Sequence, residues 1–282
     1  MLDAPAPAAL GVVGDLARLL GSSFAPRAAG PMEQFEIHRY VPLSLGDIDL
    51  SFTNSSLWMV IATGLAILFF TAATRVRSLI PGRLQSVAEL TYDFVADMVR
   101  GAIGPEGMKF FPFVFTLFVY ILLANLLGLT PSIPGLTHTF TTTSHIAVTI
   151  GLSMTSILIV IVYGFYKNGL GFLKLFAPSG VPAWLLPLIV LIEFVSFLSR
   201  PLSLAIRLFA NMLAGHIILK VFAGFIISLL GAGGVVSAIA IFPFLGTVAI
   251  TLLELLVAFL QAYVFAILTC IYLNDAEHVG HH

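Results

Sequence analysis

The sequence predicts an all-α membrane protein of about five membrane helices. The last two form a long, steeply tilted C-terminal hairpin, and one further helix is amphipathic and lies on the membrane surface. Three observations carry this expectation. Hydrophobic residues make up 59% of the chain and charged residues 10%, with a mean hydropathy of +1.05. Soluble domains carry about 25% charged residues, so this chain lacks the polar surface to cover a water-soluble globule. Apolar runs recur at spanning length, and two of them are much longer than a bilayer is thick.

The same composition excludes several functions. A net charge of −1 gives no electrostatic footprint for nucleic acid. The single cysteine, Cys270, rules out an intrachain disulfide. No stretch has the spacing of a zinc site, a P-loop or a Rossmann turn. The chain therefore reads as one that does not bind nucleotide itself.

Residues 1–56 read as an outer-side N-terminal arm. Its first thirty residues are rich in Ala, Pro and Gly, and Asp15 and Arg18 interrupt the one apolar run. No basic stretch precedes that run, so the arm reads as flexible or surface-lying rather than as a signal peptide. Residues 57–181 hold the first three membrane helices. The first span covers 57–74, with Thr53, Asn54 and Ser55 offering N-cap oxygens and Arg75, Arg77 and Arg83 following. Residues 84–103 differ in kind. Leu84, Val87, Thr91, Phe94, Val95, Met98 and Ala102 recur at helical spacing, while Gln85, Glu89, Asp93, Asp97 and Arg100 fall on the other side. That is an amphipathic surface helix, too charged to span, whose polar side is either a docking face or simply solvated. Spans at 110–129 and 144–166 follow, joined by a loop, 130–143, that contains no Lys or Arg. Arg75, Arg77, Arg83, Lys109, Lys167 and Lys174 all fall on the inner side if the N-terminus is outside.

Residues 182–275 form the hairpin. Its apolar stretches, 183–230 and 235–273, are separated by Gly231, Gly233 and Gly234. As helices they would be about 70 Å and 58 Å long, against a hydrocarbon core of about 30 Å. Either the helices break, with Pro201, Gly215 and Gly224 as candidates, or they tilt by roughly 60° or more, where ordinary spans tilt about 20°. Residues 276–282 read as an inner-side tail, and its His278, His281 and His282 as solvated side chains rather than a metal site.

The hairpin carries charge where charge is costly. Glu193, Ser196, Arg200, Ser203, Arg207 and Asn211 are spaced 3, 4, 3, 4 and 4 apart, which on a helix is one stripe. An arginine at the bilayer centre costs at least about 2.5–3.5 kcal/mol, and its pKa above about 12 forbids it from shedding the charge. Glu193 stands about 21 Å from Arg207 along the axis, so Arg207 needs a carboxylate from another chain. A structural ion pair or snorkelling to the interface are the simpler readings, and they suit Arg200 best. His216, nine residues after Arg207, falls on the opposite face at about 100° per residue. Glu254 and Gln261, seven apart, share a face of the second helix. A His and a Glu facing each other across the hairpin either relay protons or form a buried structural hydrogen bond. On these residues alone, a structural scaffold and a cation/proton antiporter remain open, although antiporter folds often show inverted repeats and none is visible here.

The run SRPLSLAIRLFANMLAGH, residues 199–216, resembles the signature of subunit a of F-type ATP synthases, in the mitochondrial and closely related bacterial branch. LELLVAFLQAYVFAILTCIYLNDA resembles that family's last helix, and MEQFEI, SFTNSSLW and SVAELTYDFV resemble its earlier segments. The likeness covers about 32–276 and implies a proton-translocating stator subunit with two offset half-channels. Arg207 matches the essential arginine that faces a rotating c-ring and separates the half-channels. Asn211 and Gln261 match its polar neighbours, and Ser203 lies on the same stripe. Glu193 matches a carboxylate on the inner path, and His216 and Glu254 a pair on the outer path, near Asn125. Ser144 and His145 open the third span and either help admit protons or, with His138, form an incidental Ser/Thr-rich cap. The implied partners are the c-ring, peripheral-stalk b-type subunits, protons and the lipid bilayer, with no nucleic acid and no cofactor. The implied location is the bacterial inner membrane, with the mitochondrial inner membrane as alternative.

Overall fold

The computed structural model describes residues 39–41, 44–45, 48–49, 51–75, 81–130, 142–176, 182 and 184–279. All lie in the second of the chain's two compact units, 34–282. The readings made for residues 1–38, Arg77, His138, His281 and His282 fall outside the described residues.

Two short antiparallel pairs come first. β1 (Arg39–Val41) pairs with β4 (Phe52–Thr53), and β2 (Ser44–Leu45) with β3 (Ile48–Asp49). Five of the helices that follow are long and apolar enough to cross a membrane. α1 (Asn54–Arg75) is the first. The Thr53 hydroxyl accepts the Ser56 N–H at its start. Thr63, Thr71 and Thr74 return their hydroxyls to carbonyls four residues back, which satisfies them without water.

α2 (Arg83–Ile103) is the amphipathic helix, stopped by Gly104 at φ +94°, a conformation that favours glycine. Its buried face is Ala88, Val95, Ala96, Met98, Val99 and Ile103. Leu84 and Val87, expected on the buried side, are exposed, and so is Leu90. Apolar spacing alone does not separate a face that meets protein from one that meets lipid.

α3 (Phe111–Gly128) turns Val114, Phe118, Ile121 and Asn125 inward at spacings of 4, 3 and 4. α4 (Ile146–Asn168) buries Thr149, Ser153, Ser156, Val160 and Gly164, small side chains that let a neighbouring helix approach closely. A tight helical segment, Gly169–Phe176, then folds back. It seats the Phe172 ring where a Cβ on Gly164 would lie 2.3 Å from it.

The hairpin consists of α5 (Leu186–Ala232), a short α6 (Gly234–Ala238) and α7 (Ile241–Glu277). α5 runs unbroken for 47 residues, about 70 Å. Pro201 lies inside it, buried, and costs one hydrogen bond without ending the helix. None of the three suspected breakpoints interrupts α5. The second stretch does break, at Ile239–Ala240, near its beginning. Gly233 and Gly234, at φ +68° and +60°, make the turn.

α3, α4, α5 and α7 share one core around Val114, Phe118, Ile121, Val160, Leu208, Met212, Phe265 and Leu273. α5 contributes to it only between Phe197 and Met212. From Leu213 to Ala232 it buries no side chain, and α7 buries none before Glu254. The distal half of the hairpin is two helices leaning on each other. Gly246 is one contact point: a Cβ there would fall 2.5 Å from the Phe222 ring.

Candidate functional site

α5 carries polar groups on two faces, and they meet different surroundings. On the first face, Glu193, Ser196 and Arg200 are half-buried, whereas Ser203, Arg207 and Asn211 are exposed. Ser203 and Arg207 line a shallow depression with Ser199, Leu202 and Ile206. Among the described residues neither Glu193 nor Arg207 makes a hydrogen bond or an ion pair. One turn beyond Arg207, the Asn211 Nδ2 donates to the Gln261 Oε1 at 3.1 Å, bridging α5 to α7. Gln261 is buried, and its Nε2 has no acceptor among the described residues. A buried amide donor in that state is rare enough to mark a position that needs one.

On the opposite face, His216 Nδ1 lies 2.9 Å from the Glu254 Oε1 and 2.8 Å from the Met212 carbonyl. Its Nε2 lies 2.9 Å from the Gly128 carbonyl at the end of α3. Since a carbonyl only accepts, Nε2 carries a hydrogen. Nδ1 faces the Met212 carbonyl as well, so by the same rule it too carries a hydrogen, and the ring stands as a cation against the Glu254 carboxylate. Glu254 is 4% exposed and reaches this place through Gly215. A Cβ on that glycine would lie 2.4 Å from the Glu254 Oε1.

Asn125 extends the polar pocket. It is fully buried, donates from Nδ2 to the Ala258 carbonyl at 3.2 Å and accepts from the Thr143 hydroxyl at 2.8 Å. Thr142, Thr143 and Ser144 form a buried turn packed on α3, α4 and α5. Ser144 is therefore an interior residue rather than a loop cap. His145, just before α4, is also part-buried, and that burial holds its imidazole below the usual histidine range. Thr143 escaped sequence reasoning. Its signal was the run of three threonines at 141–143 directly before the third span.

A third cluster, where α5 begins and α7 ends, was also missed. Arg200 Nη1 meets the Asp275 Oδ2 at 3.2 Å, with its guanidinium 5.2 Å from the centre of the Tyr272 ring. Arg200 thus takes the simpler reading, an ion pair within the chain. Two residues on, Glu277 has a side chain only 1% exposed. Lys109, at the foot of α3, donates to both of its carboxylate oxygens at 2.8 Å. Lys167, at the end of α4, and the Tyr163 hydroxyl complete its shell. The expected tail is thus an anchored last turn, and α7 continues to Glu277. Within it, His278 meets the Asn274 side chain at 2.9 Å.

Comparison with known proteins identifies the family. The family described as ATP synthase A chain matches residues 56–274. ATP synthase subunit a of Chelativorans sp. (strain BNC1) is 59% identical over 254 residues, which cover 90% of this chain and 100% of that protein. Subunit a of Maricaulis maris is 59% identical over 253 residues, 89% of this chain and 98% of the relative. Subunit a of Rhizobium rhizogenes is 58% identical over 255 residues, 90% and 100%. With five spanning helices and this match over most of its length, the chain belongs to the ATP synthase A chain family, as a multi-pass, proton-translocating subunit of the bacterial inner membrane.

Proposed function

We propose that the two polar faces of α5 are the linings of two offset half-channels, and that Arg207 separates them while facing a ring of partner subunits that each carry one carboxylate. The observation that carries this reading is the state of Arg207. Arg200, Lys109 and Lys167 each have a carboxylate within the chain. Arg207 stands exposed on the hairpin with none among the described residues. A permanent cation in an apolar helix needs a counter-charge, and a neighbouring subunit supplies it.

The steps follow from elementary electrostatics. A proton enters from the outer side through the pocket of Asn125, Thr143, Ser144, His145, His216 and Glu254, and neutralises a ring carboxylate. A neutral carboxyl passes into lipid at far lower cost than an ionised one. After nearly a full turn it reaches the path containing Glu193 and releases its proton inward. Arg207 holds the anion as it passes, with Asn211 and Gln261 offering amides beside it. No proton hops past a guanidinium, because it does not deprotonate. Net flow therefore demands rotation. The 47-residue α5 cannot stand upright in a core of about 30 Å, so a strong tilt lays it along the ring's flank. The exposed acidic side of α2 is the matching surface for peripheral-stalk subunits of b type.

The test is Arg207→Ala in the assembled synthase. Coupled ATP synthesis and ATP-driven pumping are lost, and passive proton conduction through the ring persists or rises. Arg207→Lys also fails substantially, since a buried ammonium can give up its proton. Pumping at the parental rate by Arg207→Ala refutes the reading.

A further inference from the structure

Four cations bear on the hairpin's inner half, and they are treated differently. Lys109 and Lys167 belong to the Glu277 cluster, away from the stripe. Arg200 and Arg207 belong to the stripe itself, seven residues and about 10 Å apart. Arg200 is drawn down onto α7, with Asp275 against its Nη1 and the Tyr272 ring beside it. Tyr272 and Asp275 are three apart on α7, so one helical face presents both to the same guanidinium. Arg207 is also within electrostatic range of Tyr272 but makes no ion pair or hydrogen bond among the described residues.

We infer that Asp275 is a positioning residue that cancels and retracts the Arg200 charge, so that the ring carboxylate meets one net cation on the α5 stripe instead of two. The inference rests on the reading of Arg207 given above. An exposed, unneutralised Arg200 would form a second stop between Glu193 and Arg207. An anion released at the inner path would be held there instead of moving on to Arg207. A cation within about 4–6 Å makes a carboxylate harder to protonate by a factor of roughly ten or more, and the same attraction slows the anion's departure. Asp275 removes this stop within the subunit, and Tyr272 holds the retracted guanidinium by its ring face. The other charges on these two helices include Arg207, which also acts on Tyr272, Glu193 on α5 and Glu277 on α7. Glu277 is already bound to two lysines.

The test uses inverted membrane vesicles carrying the complete synthase, with ATP-driven pumping followed by dye quenching and subunit content by immunoblot. Asp275→Asn leaves Arg200 bare, and pumping per assembled complex falls by roughly tenfold, in line with the hold of one nearby cation. Arg200→Gln combined with Asp275→Asn removes both charges, and pumping returns close to the parental rate, the coupling expected of two residues in contact. Asp275→Glu, which keeps the charge, retains more activity than Asp275→Asn. If Asp275→Asn pumps like the parent, or the double variant is no better than the single, the inference is wrong and the pair is merely structural. If Asp275→Asn fails to assemble, the double variant decides: assembled and pumping, it upholds the charge argument; absent or silent, it overturns it. Arg207→Ala run alongside separates the two claims. Parental pumping there sinks the reading of Arg207. Lost pumping there, with Asp275→Asn unaffected, sinks this inference alone.

Discussion

Gly215→Ala adds one methyl group and tests the outer-side pair without removing any charged residue. The new Cβ would fall 2.4 Å from the Glu254 Oε1, 2.7 Å from its Cδ and 3.2 Å from its Cγ. Ordinary contact begins near 3.5 Å, so the carboxylate must retreat by about 1 Å. Its distance to His216 Nδ1, now 2.9 Å, then stretches towards about 4 Å, the outer limit of an ion pair. Losing a buried charged contact of this kind costs about 1.5–3 kcal/mol. At about 1.4 kcal/mol per factor of ten, a step that depends on the pair slows roughly 10- to 100-fold. The assay is the initial rate of ATP-driven proton pumping in inverted vesicles, normalised to assembled synthase. Gly224→Ala is the control, because a Cβ there meets nothing within 4 Å; it pumps like the parent. Should Gly215→Ala also pump like the parent, the contact between His216 and Glu254 plays no part in transport.

Two further outcomes follow from the geometry. Glu277→Gln removes the buried anion shared by Lys109 and Lys167. Breaking a buried pair costs about 3–5 kcal/mol, reduced here because both ammonium groups are more than a third exposed. The chain is lost from the detergent-solubilised complex at lower temperature, while Lys109→Met, which leaves Lys167 on the carboxylate, has a smaller effect. Thr143→Val takes the donor from the buried Asn125 carbonyl, worth about 1–3 kcal/mol; thermal retention in the complex falls, and Thr143→Ser restores it.

What was legible in the sequence was whatever is written in local spacing. The five apolar segments, the over-long hairpin, the stripe from Glu193 to Asn211 and the opposition of His216 to Arg207 all follow from helical period and bilayer thickness. Whether α5 breaks or tilts was undecided, because a proline permits either outcome; the structure carries the helix through Pro201. Asp275 and Glu277 stayed hidden for a different reason. Their partners lie far away in the chain, 75 residues for Arg200 and 168 for Lys109, and no period links residues at that separation. Hydropathy also fades after Leu273, so α7 looked finished before its anchoring turn. The buried face of α2 was misjudged because Leu84 and Val87 are as apolar as residues that meet protein. Gly215 was weighed as a breakpoint; that its missing side chain makes room for Glu254 depends on a residue of the next long helix, 39 positions later.

The hairpin's asymmetric packing makes it a cantilever. Its root is gripped between 197 and 212 on α5 and beyond Glu254 on α7, and bolted at the very end by Asp275 and Glu277. Within this chain, its distal half packs on little besides itself. A sideways load on that overhang is therefore felt as torque at the root, where Leu208, Met212 and Phe265 are fully enclosed. Substitutions that loosen those three residues alter the stiffness of the whole lever, although they alter no charge along its length.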